Sequence, residues 1–179
     1  PFFFTKPADA ALDTPCTIPY PKLTEDLHHE IELVIAIHKG GADIAEADVM
    51  DHVWGAAVGL DMTRRDLQAA AKKKGLPWEI GKAFEHSAPL GPVHSVENVG
   101  HLANGLMSLT INGELRQQGD LNQMIWKTPE MISYLSQYFT LSAGDVILSG
   151  TPAGVGPVDR GDQITAAIDG LGQMNITVV

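Results

Sequence analysis

The chain has 179 residues, 44% of them hydrophobic and 19% charged, with a formal net charge of −10 at pH 7; this fits one soluble globular domain. The acidic balance argues against nucleic acid, whose phosphates need basic patches, and against an anionic membrane surface. No apolar run approaches the ~20 residues that cross a bilayer. The single cysteine, Cys16, excludes an internal disulfide framework and fits a reducing compartment, expected to be the cytoplasm. The opening Pro1-Phe2-Phe3-Phe4 has no basic n-region and reads as the interior of a longer chain, so an organelle-targeting segment upstream is the alternative.

In chain order, residues 2–5 read as a short apolar strand, followed by a Pro-rich loop through Pro15, Pro19 and Pro21. Residues 29–38 are β-branched and aliphatic and read as a long strand closed by Gly40-Gly41. Residues 44–54 have helical spacing. Residues 55–61 read as a strand of small residues. Residues 63–74 read as a polar helix with Thr63 as N-cap, Asp66 three residues on and lysines in its last turn, stopped by Gly75 and Pro77. Residues 106–111 and 114–118, joined by Asn112-Gly113, form a hairpin with a type I′ turn. Residues 122–139 read as a helix with Ile125, Ile132, Leu135 and Phe139 on one face and Pro129 as a first-turn residue or a break. Residues 144–148 form a strand leading into a Gly-rich loop at 149–157, and residues 162–179 read as two strands around Asp169-Gly170. The fold class is α+β and β-rich, in one domain spanning residues 1–179, with mostly non-local strand pairing.

Glu30 and Glu32 are two residues apart on the predicted strand, so they share a face. Two like charges beside an apolar core repel unless a cation sits between them, and hard divalent cations prefer carboxylate oxygens. The alternative is a solvated strand face with alternating polar residues. Asp61, at the end of the small-residue strand, is a third carboxylate; it is either a ligand or a helix-start residue held by the dipole. Three such donors would leave positions on an octahedral ion for water and substrate. Lys82, flanked by Gly81 and Ala83-Phe84, is either a partly buried group that neutralises substrate charge or a surface lysine. The loop at 149–157 exposes backbone N–H groups suited to a carboxylate, but lacks the Gly-Lys-Ser/Thr of a P-loop. Of Arg64 and Arg65, one faces the site and one faces solvent. His28 shares the face of the glutamates as a possible fourth ligand, and His29 takes the opposite face.

His28-His29-Glu30-Ile31-Glu32-Leu33, Leu60-Asp61-Met62-Thr63-Arg64-Arg65-Asp66-Leu67-Gln68, Gly81-Lys82-Ala83-Phe84 and the Ser149–Pro157 loop together resemble the fumarylacetoacetate hydrolase family over essentially the whole chain. The acylpyruvase and fumarylpyruvate hydrolase branch is the nearest, as Asp120-Leu121-Asn122-Gln123-Met124 also indicates. The resemblance implies the mixed β-sandwich roll of that family's C-terminal domain, a homodimer, and a Mg²⁺ or Mn²⁺ ion, with Ca²⁺ as a substitute, held by Glu30, Glu32 and Asp61. It implies substrate contacts from Lys82, Thr151, Gly150 and Arg65, and places Arg65 and Gln68 near the acyl end. It also implies a lid with a water-activating His/Glu pair, upstream of Pro1 and so outside this sequence. The implied reaction is hydrolysis of the C–C bond of a 2,4-dioxo acid, an acylpyruvate such as the fumarylpyruvate of aromatic catabolism, to pyruvate and a carboxylic acid. Oxaloacetate decarboxylation and dienol isomerisation are rivals on the same site, and a metal-dependent binding module without turnover is a rival of another class.

Overall fold

Two kinds of strand build this chain, and the burial of their side chains tells them apart. The computed structural model describes residues 1–179. Its strands are β1 (Ala11–Asp13), β2 (Cys16–Ile18), β3 (Leu27–His29), β4 (Ile31–Ile37), β5 (Val53–Leu60), β6 (Thr63–Arg64), β7 (Ala88–Leu90), β8 (His94–Ser95), β9 (Leu106–Ile111), β10 (Glu114–Asp120), β11 (Val146–Leu148), β12 (Gly156–Pro157), β13 (Gln163–Ile168) and β14 (Gly172–Val178). The helices are α1 (Arg65–Lys74), α2 (Glu79–Lys82), α3 (Val96–Val99) and α4 (Thr128–Ser136). This is the expected β-rich α+β architecture.

One sheet runs β1-β7-β5-β4-β11 with β8 added to β5, a second runs β10-β9-β13-β14-β2, and a small third runs β12-β3-β6. At the centre of the first, β4 and β5 pair antiparallel, with Ile31 opposite Leu60 and Glu32 opposite Gly59. Both are buried almost throughout. One face of this pair sends Ile31, Leu33, Ile35, Ile37, Val58 and Leu60 into a hydrophobic core of 31 residues. Leu109, Ile111, Ile164, Ile168, Met174 and Ile176 close that core from the second sheet. There, β9 and β13 alternate buried and partly exposed residues, as strands with one wet face do.

The hairpin and the last two strands form where expected, and Asn112 (φ 53°) and Gly113 (φ 83°) supply the positive φ angles of the turn. Elsewhere the structure differs. Residues 2–5 form no strand: Phe2 and Phe4 pack on Trp78 through their side chains, and no sheet edge runs beside their backbone. The long strand at 29–38 breaks at Glu30, because β3 leaves the first sheet to pair with β6 and β12. The helical stretch at 44–54 shrinks to a 3-10 helix at Glu46–Asp51, and Val53 already belongs to β5. Thr63 is no helix cap: it pairs with His28, and α1 starts at Arg65 without a side-chain cap. The helix at 122–139 reduces to α4, with Pro129 in its first turn. Ile132 and Leu135 are buried, but Ile125 is 92% exposed and Phe139 is exposed, because both lie outside the helix.

Candidate active site

The site forms where β4 and β5 end. The Asp61 N–H donates to the Glu30 carbonyl at 2.9 Å, so the antiparallel ladder runs one step past both strands and sets Asp61 opposite Glu30. Glu32 lies two pairs further in, opposite Gly59, and so on the same face. A Cβ on Gly59 would stand 2.4 Å from the Val34 side chain, so only glycine fits there. The carboxylate oxygens of Glu30, Glu32 and Asp61 come within 4.8 Å of one another, and all three residues are buried. The same-face reading of the glutamates thus leads to the right cluster, although Glu30 sits in the break rather than in the strand.

Cations hold this cluster together. Lys82, 1% exposed, donates to Asp61 Oδ2 at 2.5 Å, Thr63 Oγ1 at 2.6 Å and Glu30 Oε2 at 3.0 Å. Arg65 donates to Glu30 Oε1 and, at 2.5 Å, to Gln68 Oε1. The Gly150 N–H donates to Glu32 Oε2 at 2.6 Å. Burial, then the charge of Asp61, push the Glu32 carboxyl up to about 8, against the opposing pull of that N–H. Carboxylates crowded enough to hold a proton near neutrality are a donor set that suits a hard divalent cation, which would replace the proton. The residues present fit such an ion.

The expected residues converge with two exceptions. Glu30, Glu32, Asp61, Lys82, Arg65 and Gln68 share one connected network, and Gly150 touches it. Of the two arginines, Arg65 faces the site, while Arg64 donates to the Ile80 carbonyl at 3.3 Å and stacks on Phe84. Thr151 makes no bond to the network; its hydroxyl accepts from Gln117, which is held by His29 and the Ile31 N–H. His28 is no fourth ligand: its Nε2 lies 2.8 Å from Asp26 and its Nδ1 accepts from Arg65 at 3.3 Å. It props the arginine that props Glu30. His29 does take the opposite face, where its Nδ1 lies 2.7 Å from Gln117 Oε1.

Two site residues went unread in the sequence. Lys6 is mostly buried and lies 2.8 Å from Asp61 Oδ1, with its ammonium also donating to the Met62 and Lys82 carbonyls and to Ser87 Oγ. Burial holds its pKa below the ordinary lysine range, with Asp61 opposing. Its signal was a lysine enclosed by Phe2-Phe3-Phe4 and Pro7. Gln117 is fully buried on the otherwise exposed β10. It sits at a β-bulge after Leu115 that no residue pattern announced.

Three buried carboxylates are surrounded by two ammoniums and a guanidinium on a rolled β-rich scaffold, with one oxygen from each carboxylate close enough to share a single divalent ion. Residues 1–179 match the family described as fumarylacetoacetate (FAA) hydrolase C-terminal, and the chain belongs to that family. Its fold is that of the family. A solved structure of the fumarylpyruvate hydrolase from Pseudomonas aeruginosa, in complex with Mn²⁺ and pyruvate, is 51% identical and superposes with a TM-score of 0.98 over 99% of this chain and 78% of that one. The fumarylpyruvate hydrolase of a Ralstonia species is 38% identical over 177 residues, covering 99% of this chain and 92% of that protein. The mitochondrial oxaloacetate tautomerase of Bos taurus is 43% identical over 178 residues, covering 99% of this chain and 80% of that protein. The relatives named for an activity are hydrolases, tautomerases and isomerases.

Proposed function

We propose that this protein is a divalent-metal-dependent hydrolase of acylpyruvates, with fumarylpyruvate as the first substrate to test. The observation that carries the reading is the buried Glu30–Glu32–Asp61 cluster with Lys82 bonded to two of its members, in a chain 51% identical to a protein crystallised with Mn²⁺ and pyruvate. Glu30, Glu32 and Asp61 hold the ion, Mg²⁺ or Mn²⁺. When bound, it supplies Lewis acidity for the charge that develops on the 2-oxo oxygen. Three carboxylates face three cationic side chains, so a divalent ion leaves the site net positive and suited to an anion, despite the acidic chain.

Lys82 keeps an ammonium beside the reacting end, where it stabilises the negative charge released from the breaking bond. The Thr151 hydroxyl holds the pyruvyl carboxylate, the Gly150 N–H is given to Glu32 rather than to substrate, and Arg65, steadied by Glu30, Gln68 and His28, faces the acyl end. In the overall balance, water adds to the distal carbonyl and the C–C bond breaks. The electron pair passes to the pyruvyl fragment, and protonation at its C3 yields pyruvate beside the new carboxylic acid. Mixing protein, Mg²⁺ and fumarylpyruvate in an NMR tube should give pyruvate and fumarate in equal amounts. Consumption of the enol form with no pyruvate produced would sink the hydrolase.

A second reading, keto–enol tautomerisation of oxaloacetate, is favoured by the 43% identity to the bovine tautomerase. It would use the same cluster to hold the dicarboxylate while a proton moves between C3 and the 2-oxo oxygen. The same tube with oxaloacetate distinguishes it: faster enol–keto exchange supports tautomerisation, whereas pyruvate and carbon dioxide mark decarboxylation. The working unit is proposed to be a homodimer, which light scattering at micromolar concentration checks.

A further inference from the structure

Gln117 uses every hydrogen-bonding position of its amide. Its Oε1 accepts from the Ile31 N–H at 3.1 Å and lies 2.7 Å from His29 Nδ1. Its Nε2 donates to Thr151 Oγ1 at 2.8 Å and to the Pro152 carbonyl at 3.0 Å. The amide cannot be turned round. A backbone N–H only donates and a carbonyl only accepts, so Ile31 fixes the oxygen end and Pro152 fixes the nitrogen end. Two consequences follow. His29 must carry its proton on Nδ1. Thr151 must accept from Gln117 with one of its two lone pairs, so its O–H is not spent on that contact and is free to donate elsewhere.

We propose that Gln117 is a positioning residue for substrate: it sets the Thr151 hydroxyl as a hydrogen-bond donor toward the carboxylate of the pyruvyl group. The inference rests on the reading of Thr151 as a substrate contact. The loop is tied at two neighbouring points, Gly150 to Glu32 on β4 and Thr151-Pro152 to Gln117 on β10. The first tie reaches the metal ligands; the second reaches none of them. Loss of Gln117 therefore weakens the grip on the oxo acid and spares the grip on the ion. An isostere that keeps only the oxygen end should not restore it. An ionised glutamate at 117 still accepts from Ile31 and His29, but turns an acceptor toward Thr151 and takes its proton.

The test is calorimetric titration of pyruvate into Mn²⁺-loaded protein, paired with titration of Mn²⁺ alone into metal-free protein. The variants are Gln117→Met, Gln117→Glu, Thr151→Val and the double variant Gln117→Met/Thr151→Val. Pyruvate dissociation constants should rise roughly tenfold for each single variant, the scale of one lost hydrogen bond. The double variant should be little worse than either single one, and Mn²⁺ affinity should stay within about threefold of the parent throughout. Wild-type pyruvate affinity in Gln117→Glu, or losses that simply add in the double variant, would overturn the role of Gln117 while leaving Thr151 as a contact. Wild-type affinity in Thr151→Val would overturn the contact itself and this inference with it.

Discussion

The two faces of the β4–β5 pair lie one backbone apart and are buried to a similar depth, yet they are built on opposite principles. One face is wholly apolar and joins the core shared with the second sheet. The other carries Val34 and Ala57 along its middle, then Glu32 and, at its end, Glu30 and Asp61, which meet Lys82 from α2; all are buried as well. Burying charge next to charge is a poor route to stability: such networks often match hydrophobic replacements at best. The apolar face accounts for why the chain folds, and the charged face makes sense only as a place where an ion and an anion are to be received.

That contrast can be broken most directly at Asp61. Asp61→Ala should weaken Mn²⁺ binding by roughly 100-fold or more and lower kcat/KM by about 1,000-fold, since it removes a proposed ligand, leaves Lys6 without its carboxylate and leaves Lys82 with Glu30 alone. Calorimetry and steady-state rates measure both. Retained metal affinity would mean that the cluster is structural.

A pH series sharpens the contrast next. The Glu32 carboxyl is raised in the folded, metal-free protein to about 8 from an ordinary value of 4.5. Between those values the unfolded chain has already lost this proton and the native state still holds it. Stability of the metal-free protein should therefore fall as pH rises through that window, by roughly 5 kcal/mol in total from this group. With saturating Mg²⁺ the trend should vanish or reverse, because the ion replaces the proton. Urea melts from pH 4.5 to 8.5, with and without metal, decide it; a flat metal-free profile contradicts the assignment.

Lys82→Ala comes third. It should lower kcat/KM by about 2–4 kcal/mol of transition-state stabilisation. Because this ammonium pairs with Asp61 and Glu30, it should also destabilise the metal-free protein, and added metal should restore much of that loss. Lys82→Arg should rescue poorly, since a flat guanidinium does not replace a compact ammonium at three contacts. Near-parental turnover by Lys82→Ala would remove it from the chemistry.

The smallest effect belongs to the apolar face. Ile164→Val in β13 should cost about 1 kcal/mol of stability by removing one buried methylene. Metal affinity and kcat/KM should not change measurably, as melts and kinetics on the same preparation would show.

The sequence disclosed the charged face better than the scaffold around it. Glu30, Glu32 and Asp61 were legible because acidic residues at strand spacing amid aliphatic neighbours need a reason, and Lys82 because apolar and small residues flank it. Periodicity could not show that β3 departs at Glu30 to pair with β6 and β12, since long-range pairing leaves no local trace. It likewise missed the exposure of Ile125, which follows from the helix starting only at Thr128. Gln117 was hidden for a further reason. Its neighbours Leu115 and Arg116 are exposed, and only a bulge, a defect in the register, turns it inward.

The edge of the second sheet has a consequence for how the protein is made. β2 lies parallel to β14, with Cys16 opposite Ile176 and Ile18 opposite Val178, so during synthesis β2 emerges long before the partner strand it needs. Until then Ile18, buried in the finished protein, has no sheet to join. Non-local closure of this kind slows folding. The growing chain should therefore stay open to proteases until the β14 residues emerge, and protection should appear abruptly in a series of arrested chains of increasing length. Gradual protection from the β4–β5 pair outward would show that the catalytic half folds without waiting for its last strand.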